Sequence, residues 1–353
     1  MTRPKQAASR MPAEWEPHEA TWLAWPHEPE DWPGKLAPIP WVYGEIIRHL
    51  TVGETVRLLV TAALEKEARK LLKRVGVDLD RVDFVRAATD RVWTRDSCPQ
   101  ILVGPRGRAA CGFRFNGWAK YPNHQRDMRL PEVVAQHLDL PLTMPERTGH
   151  AETGHRIVLE GGAIDVNGRG AILTTEECLL SKVQERNPGL SRADYEQVFA
   201  EQLGAPHTIW LGQGIAGDDT HGHVDDLARF VEGRTVVIAS EKDPRDENYK
   251  RLKDNLKRLQ RAKDQDGRPL SVVELPMPRP MVLDGQRLPA SYANFYIGNE
   301  AVLVPTFNDP ADREALGVLA RLFPERRVVG IHAVDLVWGL GTLHCLSQQE
   351  PRG

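Results

Sequence analysis

The run Leu227-Ala228-Arg229-Phe230-Val231-Glu232-Gly233-Arg234-Thr235-Val236-Val237-Ile238-Ala239 carries the clearest local pattern in the chain. Two apolar segments of strand length flank a short polar turn with a central glycine, and this pattern predicts a β-hairpin. Residues 247–261 then show helical periodicity, and residues 271–275 form a third strand-like segment. The pattern predicts a unit of strand, strand, helix and strand.

The hairpin pattern recurs at intervals of about 65 residues, which is typical of a repeat architecture. Paired apolar segments separated by a tight polar turn also occur at residues 100–113, 164–174 and 294–304. Helical patterns follow these pairs, and strand-like segments follow two of the helices. The predicted helices are residues 131–138, 192–203 and 311–323, and the predicted strands are residues 207–211 and 327–331.

The two ends of the chain supply a fifth unit. Strands at residues 21–25 and 55–60 flank a helix at residues 42–50, and residues 343–346 would add a strand from the other end. Five such units can close into a ring, which protects sheet edges and gathers the turns at a shared mouth. We therefore predict one α/β domain rather than two, with the proline-rich residues 275–280 as a rim loop. The alternative is a generic α/β sheet with coincidental spacing.

The composition favours a small or neutral partner. Charged residues make up 27% of the chain and the net charge is -3, so no strong field predicts binding to nucleic acid or to an anionic membrane. Residues 1–12 lack the apolar core of a signal peptide, and no segment approaches the length of a membrane span. We expect a cytoplasmic protein. The oligomeric state is left open, so a homo-oligomer is compatible with the sequence.

The four cysteines are widely spaced, which predicts free thiols in a reducing compartment and argues against a structural zinc site. They are Cys98, Cys111, Cys178 and Cys345. Cys345 stands out because glycines precede it in Trp338-Gly339-Leu340-Gly341-Thr342-Leu343-His344-Cys345. Such a segment lets a substrate approach the backbone and the sulfur closely. Cys345 is therefore a candidate nucleophile.

Three upstream clusters contain the other groups that a cysteine hydrolase needs. They are Trp93-Thr94-Arg95-Asp96, Glu160-Gly161-Gly162 and residues 218–226, which include His223 and Asp225. Their places relative to the predicted hairpins correspond, so a ring would bring them together. Three carboxylates beside a thiol suit a cationic planar substrate, because carboxylates pair with a guanidinium in bidentate fashion.

The residue types predict a two-step hydrolysis of a guanidine. Asp96 and Asp225 would hold the guanidinium, and Cys345 would attack its central carbon to give an amidino-thioether. His223 would protonate the departing amine and then activate water, while Glu160 would accept a hydrogen bond from the imidazole. Each assignment has a structural alternative.

Cys345 could be a small buried hydrophobe, and Asp96 or Asp225 could cap a turn or helix. The Glu160 cluster could be a plain turn, and Trp93 could belong to the core or to a pocket wall. Arg229 lies between apolar residues of a predicted strand, which suggests a buried ion pair.

Two other functions remain open from the residues alone. Two histidines at i and i+2 on a strand point to the same side, so His221, His223 and Asp225 could ligate zinc in a metal-dependent hydrolase. That interpretation leaves Cys345 and Glu160 without a role. A non-enzymatic guanidine or polyamine binding protein would need the carboxylates but not the thiol.

The clusters in their order along the chain resemble the agmatine deiminase family, also called the Porphyromonas-type peptidylarginine deiminase family, within the guanidine-modifying superfamily. The resemblance covers nearly the whole chain. It rests on these segments: Met11-Pro12-Ala13-Glu14-Trp15-Glu16-Pro17-His18, Trp22-Leu23-Ala24-Trp25-Pro26, Arg95-Asp96, Phe115-Asn116-Gly117-Trp118, Glu160-Gly161-Gly162, His223-Val224-Asp225-Asp226 and His344-Cys345.

This resemblance implies a fold and an activity. The implied fold is a five-bladed, pseudo-symmetric α/β propeller of ββαβ modules, formed by residues 1–353 as a single catalytic domain. The implied reaction converts agmatine and water into N-carbamoylputrescine and ammonia, a step of polyamine biosynthesis towards putrescine, with no metal and no organic cofactor. The implied nucleophile is Cys345 and the implied acid/base is His223. The implied guanidinium-binding or orienting carboxylates are Asp96, Glu160 and Asp225.

Three residues depart from the usual family pattern, namely Cys98, His221 and Trp338. They leave the chemistry intact but bear on the substrate. Agmatine carries a second positive charge, which Asp218, Asp219 or an aromatic ring such as that of Trp93 could receive. A deiminase of free or peptidyl arginine is the alternative within the same chemistry.

Overall fold

The computed structural model of the protein describes residues 9–147 and 155–353. Residues 1–8 lie outside the described residues. They belong to residues 1–12, for which the sequence predicts no signal peptide. None of the helices in these two ranges has the length and apolar character that crossing a bilayer requires.

The described residues form eighteen strands and eight α-helices. The strands are β1 (His18–Ala24), β2 (Thr55–Val60), β3 (Val82–Arg86), β4 (Gln100–Gly104), β5 (Gly107–Cys111), β6 (Leu142–Thr143), β7 (Asp165–Val166), β8 (Ala171–Thr175), β9 (His207–Leu211), β10 (Ala228–Glu232), β11 (Thr235–Ser240), β12 (Ser271–Pro276), β13 (Val282–Leu283), β14 (Gln286–Arg287), β15 (Tyr296–Ile297), β16 (Ala301–Thr306), β17 (Arg327–His332) and β18 (Gln348–Pro351). The helices are α1 (Ile39–Leu50), α2 (Ala62–Arg74), α3 (Thr94–Ser97), α4 (Leu130–His137), α5 (Glu176–Leu180), α6 (Arg192–Leu203), α7 (Glu247–Arg261) and α8 (Ala311–Leu322).

Four three-stranded sheets share one strand order. They are β4-β5-β6, β7-β8-β9, β10-β11-β12 and β15-β16-β17. In each sheet the first two strands are antiparallel and the last two are parallel. A parallel pair needs a crossover connection, and α4, α6, α7 and α8 lie between the second and third strands of the four sheets. The predicted unit of strand, strand, helix and strand is therefore confirmed.

The fifth sheet joins the two ends of the chain. It has the order β18-β1-β2-β3, with β18 antiparallel to β1 and the other pairs parallel. The prediction of a C-terminal strand at residues 343–346 was wrong, because the strand lies at Gln348–Pro351. Residues 343–346 instead form the turn before β18, and this turn carries Cys345. The sequence pattern also missed α2 and β3.

Local sequence explains why the long helices start and stop where they do. α6 begins with a capping box, in which Ser191 and Asp194 each bind the other's backbone N–H. It ends at Gly204, whose φ of 64° is a left-handed conformation that glycine adopts without strain. In α7 the buried residues Leu252 and Leu259 lie on one face, as the helical period requires.

The apolar core draws on the whole chain. Its largest cluster contains Trp22 of β1 and Leu346 just before β18, together with residues of the β15-β16-β17 sheet. The mixed α/β class is confirmed. The closure of the five sheets into a propeller remains a prediction that their shared strand order supports.

A buried cluster of charges connects the N-terminal segment to the centre of the molecule. Oε1 of Glu14 accepts hydrogen bonds from Nη2 of Arg229 at 2.8 Å and from the Ile297 N–H at 2.9 Å. Oε2 accepts from Nη2 of Arg95 at 2.9 Å and lies 2.8 Å from Nε2 of His344. Burial raises the pKa of Glu14, but Arg229, His344 and Arg95 outweigh it and hold that pKa well below its usual value.

Arg229 also donates to Asp165, and its side chain is almost fully buried. The sequence prediction of a buried ion pair at this strand residue is confirmed. Such a cluster is stable only while every charge has a partner, because a buried charge left alone loses its hydration without compensation.

The Glu14→Gln variant should therefore lose about 3–5 kcal/mol of unfolding free energy, since it leaves two buried guanidinium groups short of a counter-charge. The matched control is Glu16→Gln, whose partner Arg10 is partly exposed, and it should cost less than about 1 kcal/mol. Urea unfolding of the two variants measures both values. Equal, small losses in the two variants would contradict this account of the cluster.

Candidate active site

The five predicted catalytic residues come from separate loops and meet at the centre of the fold. Asp96 lies in α3, Glu160 precedes a 3-10 turn at Gly161–Ala163, and Cys345 lies in the turn before β18. His223 and Asp225 belong to the segment around a second 3-10 turn at Val224–Asp226. All five are at least 94% buried, with Cys345 the most exposed at 6%.

Three carboxylates surround the His223 ring. Its Nδ1 atom lies 3.9 Å from Oδ1 of Asp96 and 4.0 Å from Oδ1 of Asp225, and its Nε2 atom lies 3.9 Å from Oε2 of Glu160. Neither ring nitrogen has a hydrogen-bond partner. Burial alone would lower the pKa of His223, but Asp96, Cys178 and Glu160 raise it well above its usual value. The imidazole is thus held in its protonated form.

Asp96 and Glu160 differ in how their charges are compensated. Asp96 accepts hydrogen bonds from Nε1 of Trp118 and from the Gly162 N–H, both at 2.9 Å. Burial raises its pKa to about 6, against the opposing effect of His223. Burial also acts on Glu160, but the Arg186 guanidinium 3.0 Å away outweighs it and lowers the pKa of Glu160 to about 2.

Asp225 connects the thiol to a histidine that the sequence prediction had not assigned. Oδ2 of Asp225 lies 2.6 Å from Nδ1 of His344 and 3.7 Å from Sγ of Cys345. Burial would raise the pKa of Asp225, and His344 with His223 lowers it. His344 lies between Asp225 and Glu14, so it connects the centre to the buried cluster of charges.

The Cys345 thiol is neutral in the ligand-free site. Burial raises its pKa well above the usual value, and the negative charges of Asp225, Asp226 and Asp96 raise it further. Nδ2 of Asn294 donates to Sγ at 3.1 Å. A cation placed among these carboxylates would favour the thiolate, because it would offset the charges that oppose thiol ionisation.

A cavity of about 390 Å³ opens onto Cys345. Its lining includes the predicted substrate-binding residues Trp93, Asp96 and Asp219, and also the aromatic rings of Trp118, Tyr121 and Trp338. Asp225 is not part of this lining, although it lies directly behind the thiol. Asp219 is held at the cavity by Lys120 at 2.5 Å and by the Tyr121 hydroxyl at 2.7 Å. Apolar walls with few polar groups are typical of a small-molecule site.

Gly162 is required by the close approach of the catalytic side chains. A methyl group added there would lie 2.5 Å from Nδ1 of His223 and 2.9 Å from Oδ1 of Asp96. Gly162 therefore allows the His223 ring to pack directly against the backbone.

The zinc alternative needed His221 and His223 on the same side of a strand. The structure contradicts this, because residues 221–223 form a turn in which His221 has a φ of 65°. The ring of His221 instead lies 3.1 Å from the Ser181 hydroxyl. The prediction that His221, His223 and Asp225 form a common set was therefore wrong.

Two other sets of described side chains lie close enough to share an ion, namely Glu160, Cys178 and His223, and Asp225, Asp226 and Cys345. We assign a metal to neither set. The first set abuts the Arg186 cation, which would repel a metal ion, and the second contains the thiol that faces the cavity.

Four residues that hold this site were missed from the sequence, namely Glu14, Arg186, Asn294 and His344. Apart from His344, which precedes Cys345, these residues are not adjacent in the chain to the predicted catalytic residues. The spacing of motifs along the sequence therefore gave no signal for their contacts. Asn294 followed a recognised pattern, since it begins one of the repeated hairpins. Its side-chain carbonyl accepts from the Thr342 hydroxyl at 2.8 Å and from the His344 N–H at 3.0 Å, which fixes the turn that carries Cys345.

The residues that depart from the family pattern lie in different places. All four cysteines are free, as predicted, and all are buried. Cys98 lies in the core rather than in the lining of the cavity, and burial raises its pKa far above the usual value. Trp338 lines the cavity, and its Nε1 donates to the Pro33 carbonyl at 2.9 Å. Of these three departures, Trp338 is therefore the one that can contact a ligand in the cavity.

Comparison with known proteins identifies one family. The sequence profile of Porphyromonas-type peptidyl-arginine deiminase matches residues 10–351. The agmatine deiminase of Stutzerimonas stutzeri is 35% identical over 372 residues, covering 99% of this chain and 97% of the relative.

Solved structures agree with this finding. The agmatine deiminase of Enterococcus faecalis has a TM-score of 0.89 at 29% identity and covers 98% of this chain and 96% of its own. A cysteine-to-serine variant of C. jejuni agmatine deiminase with substrate bound has a TM-score of 0.85 at 28% identity, with 98% and 97% covered.

The Asp96→Asn variant tests the cost of burying this carboxylate. In the wild-type protein the folded-state pKa of Asp96, about 6, exceeds the pKa of an aspartate in the unfolded chain. The contribution of Asp96 to stability is therefore present below about pH 4 and is lost as pH rises through 6. Relative to wild type, Asp96→Asn should gain about 2–3 kcal/mol of unfolding free energy between pH 4 and pH 7. Urea unfolding at the two pH values measures this. Parallel pH profiles of the two proteins would refute the assignment.

Proposed function

Because the chain belongs to the Porphyromonas-type peptidyl-arginine deiminase family, we propose that it hydrolyses agmatine to N-carbamoylputrescine and ammonia. It is then a hydrolase acting on the C–N bonds of a linear amidine. The agmatine deiminases of S. stutzeri and E. faecalis, which match almost the full length of the chain, support this substrate.

One observation carries the proposal. The charges of three buried carboxyl groups, those of Asp96, Asp225 and Asp226, oppose ionisation of the Cys345 thiol, which lines the cavity. The site therefore has an excess of negative charge around Cys345. A guanidinium is planar and cationic and donates several hydrogen bonds, so it supplies both the missing charge and the missing donors.

The first step forms a covalent bond to the substrate. Asp96 and Asp225 bind the guanidinium, whose charge lowers the pKa of the Cys345 thiol, so the thiolate forms and the thiol proton is released to solvent. Sγ attacks the central carbon, so an S–C bond forms. Protonated His223 then donates to the leaving nitrogen, the C–N bond breaks, and ammonia departs.

The second step hydrolyses the amidino-thioether. His223, now neutral, takes a proton from water, and the resulting hydroxide attacks the same carbon. The S–C bond breaks, the sulfur leaves, and the product is the substituted urea N-carbamoylputrescine. Glu160 stabilises the imidazolium whenever it forms, because its free oxygen Oε2 faces Nε2 of the ring. As the S–C bond breaks, the hydroxyl proton of the tetrahedral intermediate passes to the departing sulfur, so the thiol and the imidazolium are both regenerated. The proton that the thiol first released to solvent converts ammonia into ammonium.

The cavity also suits the second positive charge of agmatine. Carboxyl groups of Glu30, Asp31 and Asp219 line it together with the aromatic rings. Asp31 is paired with Arg91, which also lines the cavity, and Asp219 is paired with Lys120. An alkyl chain packs against the rings, and an ammonium group is attracted to aromatic faces and to the Glu30 carboxylate.

The same proposal covers the domain organisation and the location. Residues 1–353 form a single catalytic domain, supported by one apolar cluster that joins both ends of the chain. The location is cytoplasmic, supported by four free, buried cysteines, which are typical of a reducing compartment.

The Cys345→Ala variant should lose turnover by at least about 10⁴-fold, because the reaction has no other nucleophile at the central carbon. Agmatine binding should persist, since Asp96 and Asp225 remain. Ammonia release and isothermal titration measure the two properties. Cys111→Ala, which changes a buried thiol on β5 away from the cavity, is the control and should keep its activity. Substantial ammonia release by pure Cys345→Ala would rule out the nucleophile.

The Asp225→Asn variant should weaken agmatine binding by about 10-fold or more, because it replaces a charge-assisted hydrogen bond with a neutral one. Asp284→Asn, in an exposed turn between β13 and β14, is the control and should bind normally. The dissociation constants of both variants, measured in the Cys345→Ala background, decide the question. Equal affinities would remove Asp225 from the guanidinium site.

A further inference from the structure

Arg186 is a buried cation that the proposed mechanism does not use. Its side chain is fully buried and faces Glu160, whose side chain is equally inaccessible. Arg186 does not line the cavity, so it has no direct path to a substrate. A buried guanidinium next to a catalytic group is costly unless it has a defined structural partner or a functional one.

The three nitrogens of this guanidinium each have a separate partner. Nε donates to Oε1 of Glu160 at 3.0 Å, and Nη1 donates to the carbonyl of Gln184 at 2.9 Å. Nη2 donates to the carbonyl of Thr220 at 2.5 Å. Thr220 lies in the loop that leads to His223. The same side chain therefore holds both Glu160 and the loop that carries the acid/base residue.

The geometry also assigns different tasks to the two oxygens of Glu160. Oε1 is occupied by Arg186, whereas Oε2 has no hydrogen-bond partner and is the oxygen that faces Nε2 of His223 at 3.9 Å. One proton between Oε2 and Nε2 can reside on either group, and only the form with a carboxylate and an imidazolium provides an acid for the leaving amine.

We infer that Arg186 is a positioning residue, which keeps this shared proton on His223 by holding Glu160 as a carboxylate. The inference rests on the proposed function, because it concerns the acid of that reaction. Arg186 touches Glu160 directly and His223 only through it. Its positive charge therefore opposes protonation of Glu160 more strongly than protonation of His223.

The other charges around His223 do not determine whether the shared proton resides on Glu160 or on His223. Asp96 and Asp225 face Nδ1, on the other side of the ring, and Asp226 follows in the same turn. Asp218 binds the backbone N–H of His223 at 2.9 Å, and the Cys178 thiol of α5 lies beside the ring. The carboxylates favour the imidazolium, but none of them contacts Glu160 as Arg186 does.

Removal of the Arg186 charge should move the proton. In Arg186→Gln, Glu160 is buried beside no cation, so the proton that the pair binds first resides on Glu160 and the ring stays neutral near pH 7. The midpoint of His223 protonation should then lie about one pH unit or more below the midpoint in the wild-type protein. Arg186→Lys keeps the cation and should keep the imidazolium.

The double variant Arg186→Gln/Glu160→Gln gives the sharpest prediction. Glutamine at position 160 has the shape and the neutral charge of a protonated Glu160. The midpoint of His223 in the double variant should therefore equal the midpoint in Arg186→Gln alone. If Arg186 had a merely structural role, Glu160 would stay ionised in Arg186→Gln, and its replacement in the double variant would lower the midpoint further.

The experiment is ¹⁵N NMR of the histidine rings in the ligand-free protein, titrated from pH 5 to 10. The chain has 12 histidines, and His223→Asn identifies the signal. Arg258→Gln, which removes a partly exposed arginine of α7, is the control and should leave the midpoint unchanged. A lower midpoint in Arg186→Gln that equals the midpoint of the double variant supports the inference. A midpoint that stays or rises in Arg186→Gln, or that falls further in the double variant, overturns it.

The kinetic counterpart is the alkaline limb of kcat/KM for agmatine, which should move in the same direction as the NMR midpoint. The NMR result does not need turnover, so the two failures are distinguishable. Absence of ammonia release from agmatine by wild type would contradict the proposed function alone. If Arg186→Gln does not fold, Arg186→Met, which keeps a similar chain length without the charge, takes its place beside Arg186→Met/Glu160→Gln. Equal, lowered His223 midpoints in these two proteins support the inference, and a further fall in the double variant overturns it.

Discussion

The arrangement of the site depends on the burial of one carboxylate, that of Glu14. It binds Arg95, Arg229 and His344 at the same time, and each of these comes from a different part of the chain. The N-terminal segment is therefore connected to the turn that carries the thiol. The contact with Glu14 fixes one ring nitrogen of His344, and the other ring nitrogen contacts Asp225, which lies behind Cys345.

The centre of the site has the opposite imbalance, because its carboxylates outnumber its cations. Burial and mutual repulsion raise the pKa of Asp96 to about 6, that of Asp226 well above its usual value, and that of the Cys345 thiol as well. A cationic substrate relieves all three effects at once. Under the proposed mechanism, a bound guanidinium therefore favours the Cys345 thiolate.

The sequence predicted the features that depend on local pattern or on residue chemistry. Residues 192–203 matched an observed helix, whose ends are marked by the capping box at Ser191 and by Gly204, and residues 207–211 matched an observed strand. Arg229 was recognised as a buried ion because a charge between apolar strand residues needs a partner. Contacts between distant segments could not be read in this way. Neither the Arg186–Glu160 pair nor the position of the last strand has a local signal, and His221 was misplaced because a turn was taken for a strand.

The central claim is that Cys345 attacks the guanidine carbon of agmatine. Acid quenching of wild-type protein during turnover, followed by digestion and mass spectrometry, tests it most directly. The account predicts that the peptide containing Cys345 gains the mass of agmatine less that of ammonia, and that this adduct is lost in Cys345→Ala. An adduct on Cys98, Cys111 or Cys178, or undiminished ammonia release by Cys345→Ala, would contradict it.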